Sequence, residues 1–195
     1  MRSRAAIAAL WLSGCTPQPE PAAPPAHRLT ATDATFTVAE QGLTVHARQA
    51  TLDDDGAGTA ETVKAQAPGL QITSDHFAWQ LADRSTTFTG NVIATRGDTT
   101  LTCDTMTVSL GDGEQIRSAS ASGGVRIVQA DREAVAENAE LDGATGKVVL
   151  TGAPSLRQAS RRLSGAVITL WLDDERVDCD RCTLSLEGEA IGVGQ

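Results

Sequence analysis

The chain has 195 residues and a formal net charge of −9, so it is long enough for one domain with a sizeable core. Hydrophobic residues make up 41% of the sequence, which indicates a globular chain rather than a disordered one. The negative charge and an aromatic content of only 3%, without tyrosine, argue against a nucleic-acid partner, which needs cationic contacts and stacking rings.

The first residues have the pattern of an export signal. Arg2 and Arg4 precede an apolar run that is too short to span a bilayer. The run leads into Leu12-Ser13-Gly14-Cys15, which resembles a bacterial lipobox. We therefore predict a signal peptide at residues 1–14 and a lipid anchor on Cys15. The alternative is an ordinary export signal with an incidental cysteine. Thr16 stands where an aspartate commonly signals inner-membrane retention, which favours the outer membrane.

Five of the seven prolines of the chain fall within residues 16–27. Proline-rich segments are extended and have no core of their own. We predict a tether at residues 15–28, followed by a single β domain at residues 29–195.

From Leu29 onward, apolar and polar residues alternate with a period of two, which is typical of β-strands with one buried face. The first turns are predicted at residues 40–42 and at Asp53-Asp54-Asp55-Gly56. Three adjacent acids suggest a metal, but the ligand spacing of a calcium loop is missing. We interpret this segment as a solvated turn, and no metal site is predicted.

One pattern then recurs three times between residues 89 and 170. Its copies open with Thr89-Gly90-Asn91, Ser122-Gly123-Gly124 and Thr151-Gly152-Ala153, at offsets of 33 and 29 residues. A near-constant period indicates stacked supersecondary units. Because no segment shows a sustained helical period, we predict an all-β fold: a sandwich, a jelly roll or an open β-roll.

Three features together resemble a known family: the T-G-N-V segment at residues 89–92, the strand Leu101-Thr102-Cys103-Asp104, and a following G-x-V-x-I at residues 123–127. They resemble the OstA-like domain of the lipopolysaccharide-transport proteins LptA and LptC and of the N-terminal region of LptD. The resemblance covers about residues 29–186. It implies an antiparallel β-jelly roll, built as a V-shaped β-roll of stacked repeats, with an apolar groove and open end strands.

The function implied by this resemblance is binding and transport of lipopolysaccharide in the periplasm, as part of an export bridge to the outer membrane. The implied partners are lipopolysaccharide acyl chains and other Lpt-type β-roll proteins, joined by addition of edge strands. The sequence departs from the family in its anchor, since LptA is usually soluble and LptC usually has a transmembrane helix. Here the lipobox would attach the protein to a membrane, and we expect the outer one.

The predicted lipid-facing residues are the apolar members of the alternating strands. The alternative is a closed core without lipid cargo, which would make the protein a periplasmic or surface scaffold. The predicted groove set is Phe88, Val92, Met106, Val108, Ile127, Val149, Leu156, Ile168 and Leu170.

Cys179 and Cys182 form a C-x-x-C motif. Zinc would need a second pair of ligands, and a thioredoxin-type site would need a helix in an α/β unit. In an oxidising compartment a local disulfide across a tight turn is the better interpretation. Cys103 is expected to be a buried thiol.

The sequence contains no signature of an enzyme such as G-x-S-x-G, a P-loop or H-E-x-x-H. Its three histidines are scattered, so we predict a non-enzymatic protein without a cofactor. Arg157, Arg161 and Arg162 form a basic cluster. It is either a phosphate-binding group or a solvated strand end.

Overall fold

A computed structural model describes residues 28–38, 42–54, 56–80, 84–111, 116–172, 174 and 176–186. The predicted signal peptide, the predicted anchor Cys15 and nearly all of the predicted tether lie outside these residues. Regular structure in the described ranges consists of antiparallel strands, so the all-β prediction is confirmed. The strands are β1 Arg28–Val38, β2 Leu43–Asp53, β3 Ala57–Ala67, β4 Leu70–Gln80, β5 Ser85–Arg96, β6 Thr99–Leu110, β7 Ile116–Gln129, β8 Arg132–Asp142, β9 Lys147–Thr151, β10 Ser155–Gln158, β11 Arg161–Ser164, β12 Val167–Trp171, β13 Val177–Asp180 and β14 Thr183–Leu186.

The strands form one sheet that divides into two branches. From β1 to β8, each strand pairs with the next strand in the chain. The first half of β8 pairs with β10, which continues to β11 and β14. The second half of β8 pairs with β9, which continues to β12 and β13. Each long strand therefore contributes one segment to each of two half-sheets.

The long strands bend at their centres, where the pairing shifts by β-bulges, for example between Thr89 and Val92 and between Ser122 and Val125. Bulges of this kind turn a strand sharply. We name the two half-sheets arm 1 and arm 2. Arm 1 comprises residues 28–32, 49–53, 57–61, 76–80, 85–89, 105–109, 118–122, 138–142, 147–151, 167–171 and 177–180. Arm 2 comprises residues 34–38, 43–47, 63–67, 70–74, 92–96, 99–103, 125–129, 132–136, 155–158, 161–164 and 183–186.

The repeated T-G-N type segments are the bends between the arms. Their first glycines have positive φ angles, which L-residues rarely adopt. Each of these glycines also lies against an acidic side chain of the preceding strand, where a Cβ atom would collide. The pairs are Gly90 with Asp75, Gly123 with Asp104 and Gly152 with Glu137.

Replacing Gly123 with alanine is expected to lower the free energy of unfolding by about 2–5 kcal/mol. The backbone penalty at φ +79° combines with a new Cβ that would lie 2.7 Å from the Cβ of Asp104. Gly124 is a matched control, because it has φ +62° and no atom within 4 Å of an added Cβ. Gly124→Ala should cost only the backbone penalty of about 1–2 kcal/mol. Equal losses in urea unfolding would contradict close packing at the bend.

The core lies between the facing sides of the two arms. On β5, Phe88 of arm 1 and Val92 and Ala94 of arm 2 are buried, whereas the alternate residues are more exposed. The same alternation runs along β2, β3, β4 and β8. Pleating places alternate side chains on opposite faces, so each arm has one apolar inner face and one polar outer face.

Candidate functional site

The inner faces of the arms carry most of the predicted groove residues. Eight of the nine are buried in the core cluster. They share one feature: each occupies a buried, inward-facing position of its strand. They are Phe88, Val92, Met106, Val108, Ile127, Leu156, Ile168 and Leu170.

The ninth predicted residue, Val149, lies on the wrong face, so its assignment to the groove is wrong. On β9 its neighbours Val148 and Leu150 are 4% and 1% exposed, whereas Val149 is only partly buried. Val149 pairs with Glu140 and Thr169 on the outer face of arm 1. Because residues 148–150 are all apolar, the sequence shows no alternation there, and only the pairing identifies the inward positions.

An apolar pocket of about 100 Å3 opens between the arms at the level of β5 to β8. Met106, Val108 and Ile127 from the predicted set line it, together with Leu101 and Leu141. The space exists because four inward positions are occupied by alanine. These positions, missed in the sequence analysis, are Ala94, Ala119, Ala121 and Ala139.

Aromatic rings fill the groove on the N-terminal side of this pocket. The ring centroids of Phe77 lie 4.9 Å from Phe88 and 5.4 Å from Trp79. Phe36 of β1 packs over Trp79 at 4.9 Å. Gly58 permits this arrangement, since an added Cβ would overlap the Trp79 ring. The groove is therefore filled by aromatic side chains at its N-terminal end, and the open pocket lies next to these rings.

Cys179 and Cys182 are joined by a disulfide with a Cα–Cα distance of 5.9 Å. The bridge lies at the last bend of the sheet, between β13 of arm 1 and β14 of arm 2. Gly165 leaves room for it, because an added Cβ would lie 2.6 Å from the Sγ of Cys179. At this bend Gly165 lies against the disulfide, whereas the glycines of the earlier bends lie against an acidic side chain.

Cys103 is a free thiol, 6% exposed, on the inner face of arm 2. Burial, with a further effect of the neighbouring Asp104 carboxylate, raises the pKa of the Cys103 thiol to about 11. Its Sγ atom donates to the carbonyl of Thr105 at 3.3 Å. The thiol is therefore protonated at neutral pH and behaves as a small core residue.

At both ends of the described sheet, the outermost strands are paired on one side only. β1 pairs only with β2 at one end, and β13 and β14 each have a single neighbour at the other. Large apolar side chains are exposed there: Leu29 is 69% exposed, and Leu184 and Leu186 are 64% and 71% exposed. Such edges present free backbone groups and apolar surface to another strand.

The described part of the chain contains no candidate metal site. Among these residues, no group of three His, Cys, Asp or Glu side chains is placed to hold a metal ion. His46 lies on the outer face and shares a 2.9 Å hydrogen bond with Thr35. Within the ranges that the structure describes, there is no helix long and apolar enough to cross a membrane.

Comparison with known proteins agrees with this architecture. The structure is similar to a crystal structure of LptH from Pseudomonas aeruginosa, described as the LptA homologous periplasmic component of the lipopolysaccharide transport device. The TM-score is 0.56 and the identity 15%, over 61% of this chain and 95% of LptH, so this likeness concerns the fold alone. A search of curated proteins found no match. Residues 71–176, just over half of the chain, match the family described as "LptA/(LptD N-terminal domain) LPS transport protein". The chain therefore belongs to this family of lipopolysaccharide transport proteins.

Proposed function

We propose that this protein binds lipopolysaccharide in the periplasm and shields its acyl chains in the groove between the arms. The observation that carries the proposal is the open apolar pocket between two inner faces, in a chain of the lipopolysaccharide transport family. Removing apolar surface from water stabilises a complex by about 25 cal/mol per Å2. A groove that is open beside its packed N-terminal end can therefore hold an acyl chain without enclosing the rest of the lipid.

The proposal extends to an export bridge built by strand addition. The exposed Leu184 and Leu186 on β14 and the exposed Leu29 on β1 lie at opposite ends of the sheet. Backbone pairing between the end of one β-roll and the start of another would join their inner faces into a longer apolar surface. The partners of such a bridge are other Lpt-type β-roll proteins.

The anchoring of the protein is also part of this proposal. A lipid on Cys15, followed by the tether at residues 15–28, would hold the β domain close to the outer membrane. The support for this is the lipobox at residues 12–15 and the proline-rich composition after it.

Photo-crosslinking in cells tests the cargo directly. A photoreactive amino acid at Met106, which lines the pocket, is expected to form an adduct with lipopolysaccharide. The matched control is Thr107, the next residue of β6, which pairs with Thr87 and Ser120 on the outer face. It should give no lipid adduct. A protein adduct without lipid at Met106, or equal lipid capture at both positions, would contradict the proposal and favour a scaffold with a closed core.

A further inference from the structure

The edge of arm 2 that borders the groove changes character along the sheet. We use the name arm 2 rim for the inward-facing residues at those ends of the arm 2 strand segments that are farthest from the bends. Near the N-terminus these positions are apolar, with Leu43, Ala67 and Leu70. From β5 onward they are cationic or polar. This second part of the rim consists of Arg96, Thr99, Gln129, Arg132, Gln158 and Arg161.

Arg96 stands at the mouth of the open pocket. It follows the buried Val92 and Ala94 on the same side of β5, and with Thr99 it lines the pocket. Its side chain is exposed, while the interior of the pocket is formed by residues such as Met106 and Ile127. In the same turn, the Asp98 carboxylate accepts a 3.4 Å hydrogen bond from Thr99. A guanidinium thus adjoins a space that suits a hydrocarbon chain.

Arg132 repeats this arrangement farther along the groove. It lines a second, smaller pocket with Gln129, Leu156 and Leu170. Adjacent strands are separated by about 4.8 Å, so Arg96 on β5 and Arg132 on β8 lie about 14 Å apart along the rim. Asp131 also lies beside this part of the rim, where its carboxylate accepts a 3.3 Å hydrogen bond from the side-chain amide of Gln158. The rim therefore presents arginines together with single acids, in a chain whose net charge is −9.

The register also divides the basic cluster singled out in the sequence. Arg157 and Arg162 are paired with each other on the outer face of arm 2. There the Arg126 guanidinium, hydrogen-bonded to the Glu133 carboxylate at 2.7 Å, holds the pKa of Glu133 below its usual range. Arg161 occupies the opposite face, on the same side as Leu163, and so belongs to the rim.

We propose that the arm 2 rim binds phosphate groups of an anionic amphiphile whose hydrocarbon chain lies in the groove. This inference depends on the proposed lipid-binding role of the groove and adds a requirement for negative charge in the headgroup. Guanidinium groups bind phosphate through paired N–H donors, and they do so more strongly beside an apolar surface than in bulk water. A neutral amphiphile of equal chain length would lack this contact.

Calorimetric titration of the full-length chain tests the inference with two probes, decyl phosphate and 1-decanol, which share one alkyl chain. The wild-type protein should bind decyl phosphate more tightly. Arg96→Gln should weaken decyl phosphate binding about five- to tenfold and leave 1-decanol binding unchanged. Arg126→Gln is the charge-matched control on the outer face and should change neither affinity.

The alternative outcomes separate this inference from the proposed function. Equal binding of both probes by the wild type, or equal losses for both probes in Arg96→Gln, would overturn the role of the rim and leave the groove intact. An equal loss in Arg126→Gln would assign the effect to the general field. Displacement of decyl phosphate by equimolar inorganic phosphate would indicate a free-phosphate site and overturn the lipid assignment. Failure of both probes to bind would overturn the proposed function as well.

Discussion

Replacing Phe77 with alanine is expected to lower the free energy of unfolding by about 3–5 kcal/mol. Phe77 is 1% exposed and contacts the rings of Phe36, Trp79 and Phe88. Truncation would leave a cavity among rings carried mainly by β4 and β5, which are paired on both sides, so the neighbours could relax only in part. The loss of stability is large because Phe77 is buried and contacts all three of the other rings at the N-terminal end of the groove.

The matched control is His76→Ala, since His76 precedes Phe77 on β4 and is exposed on the outer face. Surface changes of this kind usually alter stability by less than about 0.5 kcal/mol. Urea unfolding followed by tryptophan fluorescence measures both variants, because Trp79 lies beside Phe77. If Phe77→Ala cost no more than His76→Ala, the N-terminal end of the groove would not be packed as described.

Replacing Ala119 with phenylalanine is expected to reduce lipopolysaccharide capture at Met106 by about tenfold or more. Ala119 is a partly buried, inward-facing residue of β7 that pairs with Val108 and Leu141. It is one of the four alanines that create the pocket of about 100 Å3. A phenyl ring at this position would occupy the space that we assign to an acyl chain.

Ser118→Phe adds the same ring one residue earlier, where the side chain is exposed on the outer face, and it should not affect capture. Crosslinking yields at Met106 are compared for the two variants after urea unfolding has shown that both are folded. Overpacking a filled core costs about 1–3 kcal/mol, so a pocket with free space should accept the ring at a smaller cost. A folded Ala119→Phe protein with unchanged capture would show that the acyl chain lies elsewhere.

The alternating pattern was sufficient to predict the β class and the inward face of most strands. The inward positions of eight predicted groove residues follow directly from it, because pleating leaves no freedom in which side of a strand a residue occupies. The repeated T-G-N, S-G-G and T-G-A segments marked the position of each unit, although not its structural role. Glycine with positive φ is required wherever a strand turns this sharply against a neighbouring side chain.

Other features depended on how the strands pair, which local pattern does not encode. Val149 was misassigned because residues 148–150 are uniformly apolar, and only its pairing with Glu140 and Thr169 places it outside. Arg161 and Arg162 are adjacent on β11, so pleating alone puts them on opposite faces, and the pairing decides which of the two faces inward.

The pocket, the two arms and the position of the disulfide belong to the tertiary structure. Alanines from β5, β7 and β8 create one space only because long-range pairing stacks these strands, and bulges then fold the sheet so that the inner faces meet. The C-x-x-C motif predicted a local bridge, but only the folded sheet places it between the arms at the last bend. Strand periodicity is a local property of the chain, whereas register and the enclosure of space depend on residues distant in sequence.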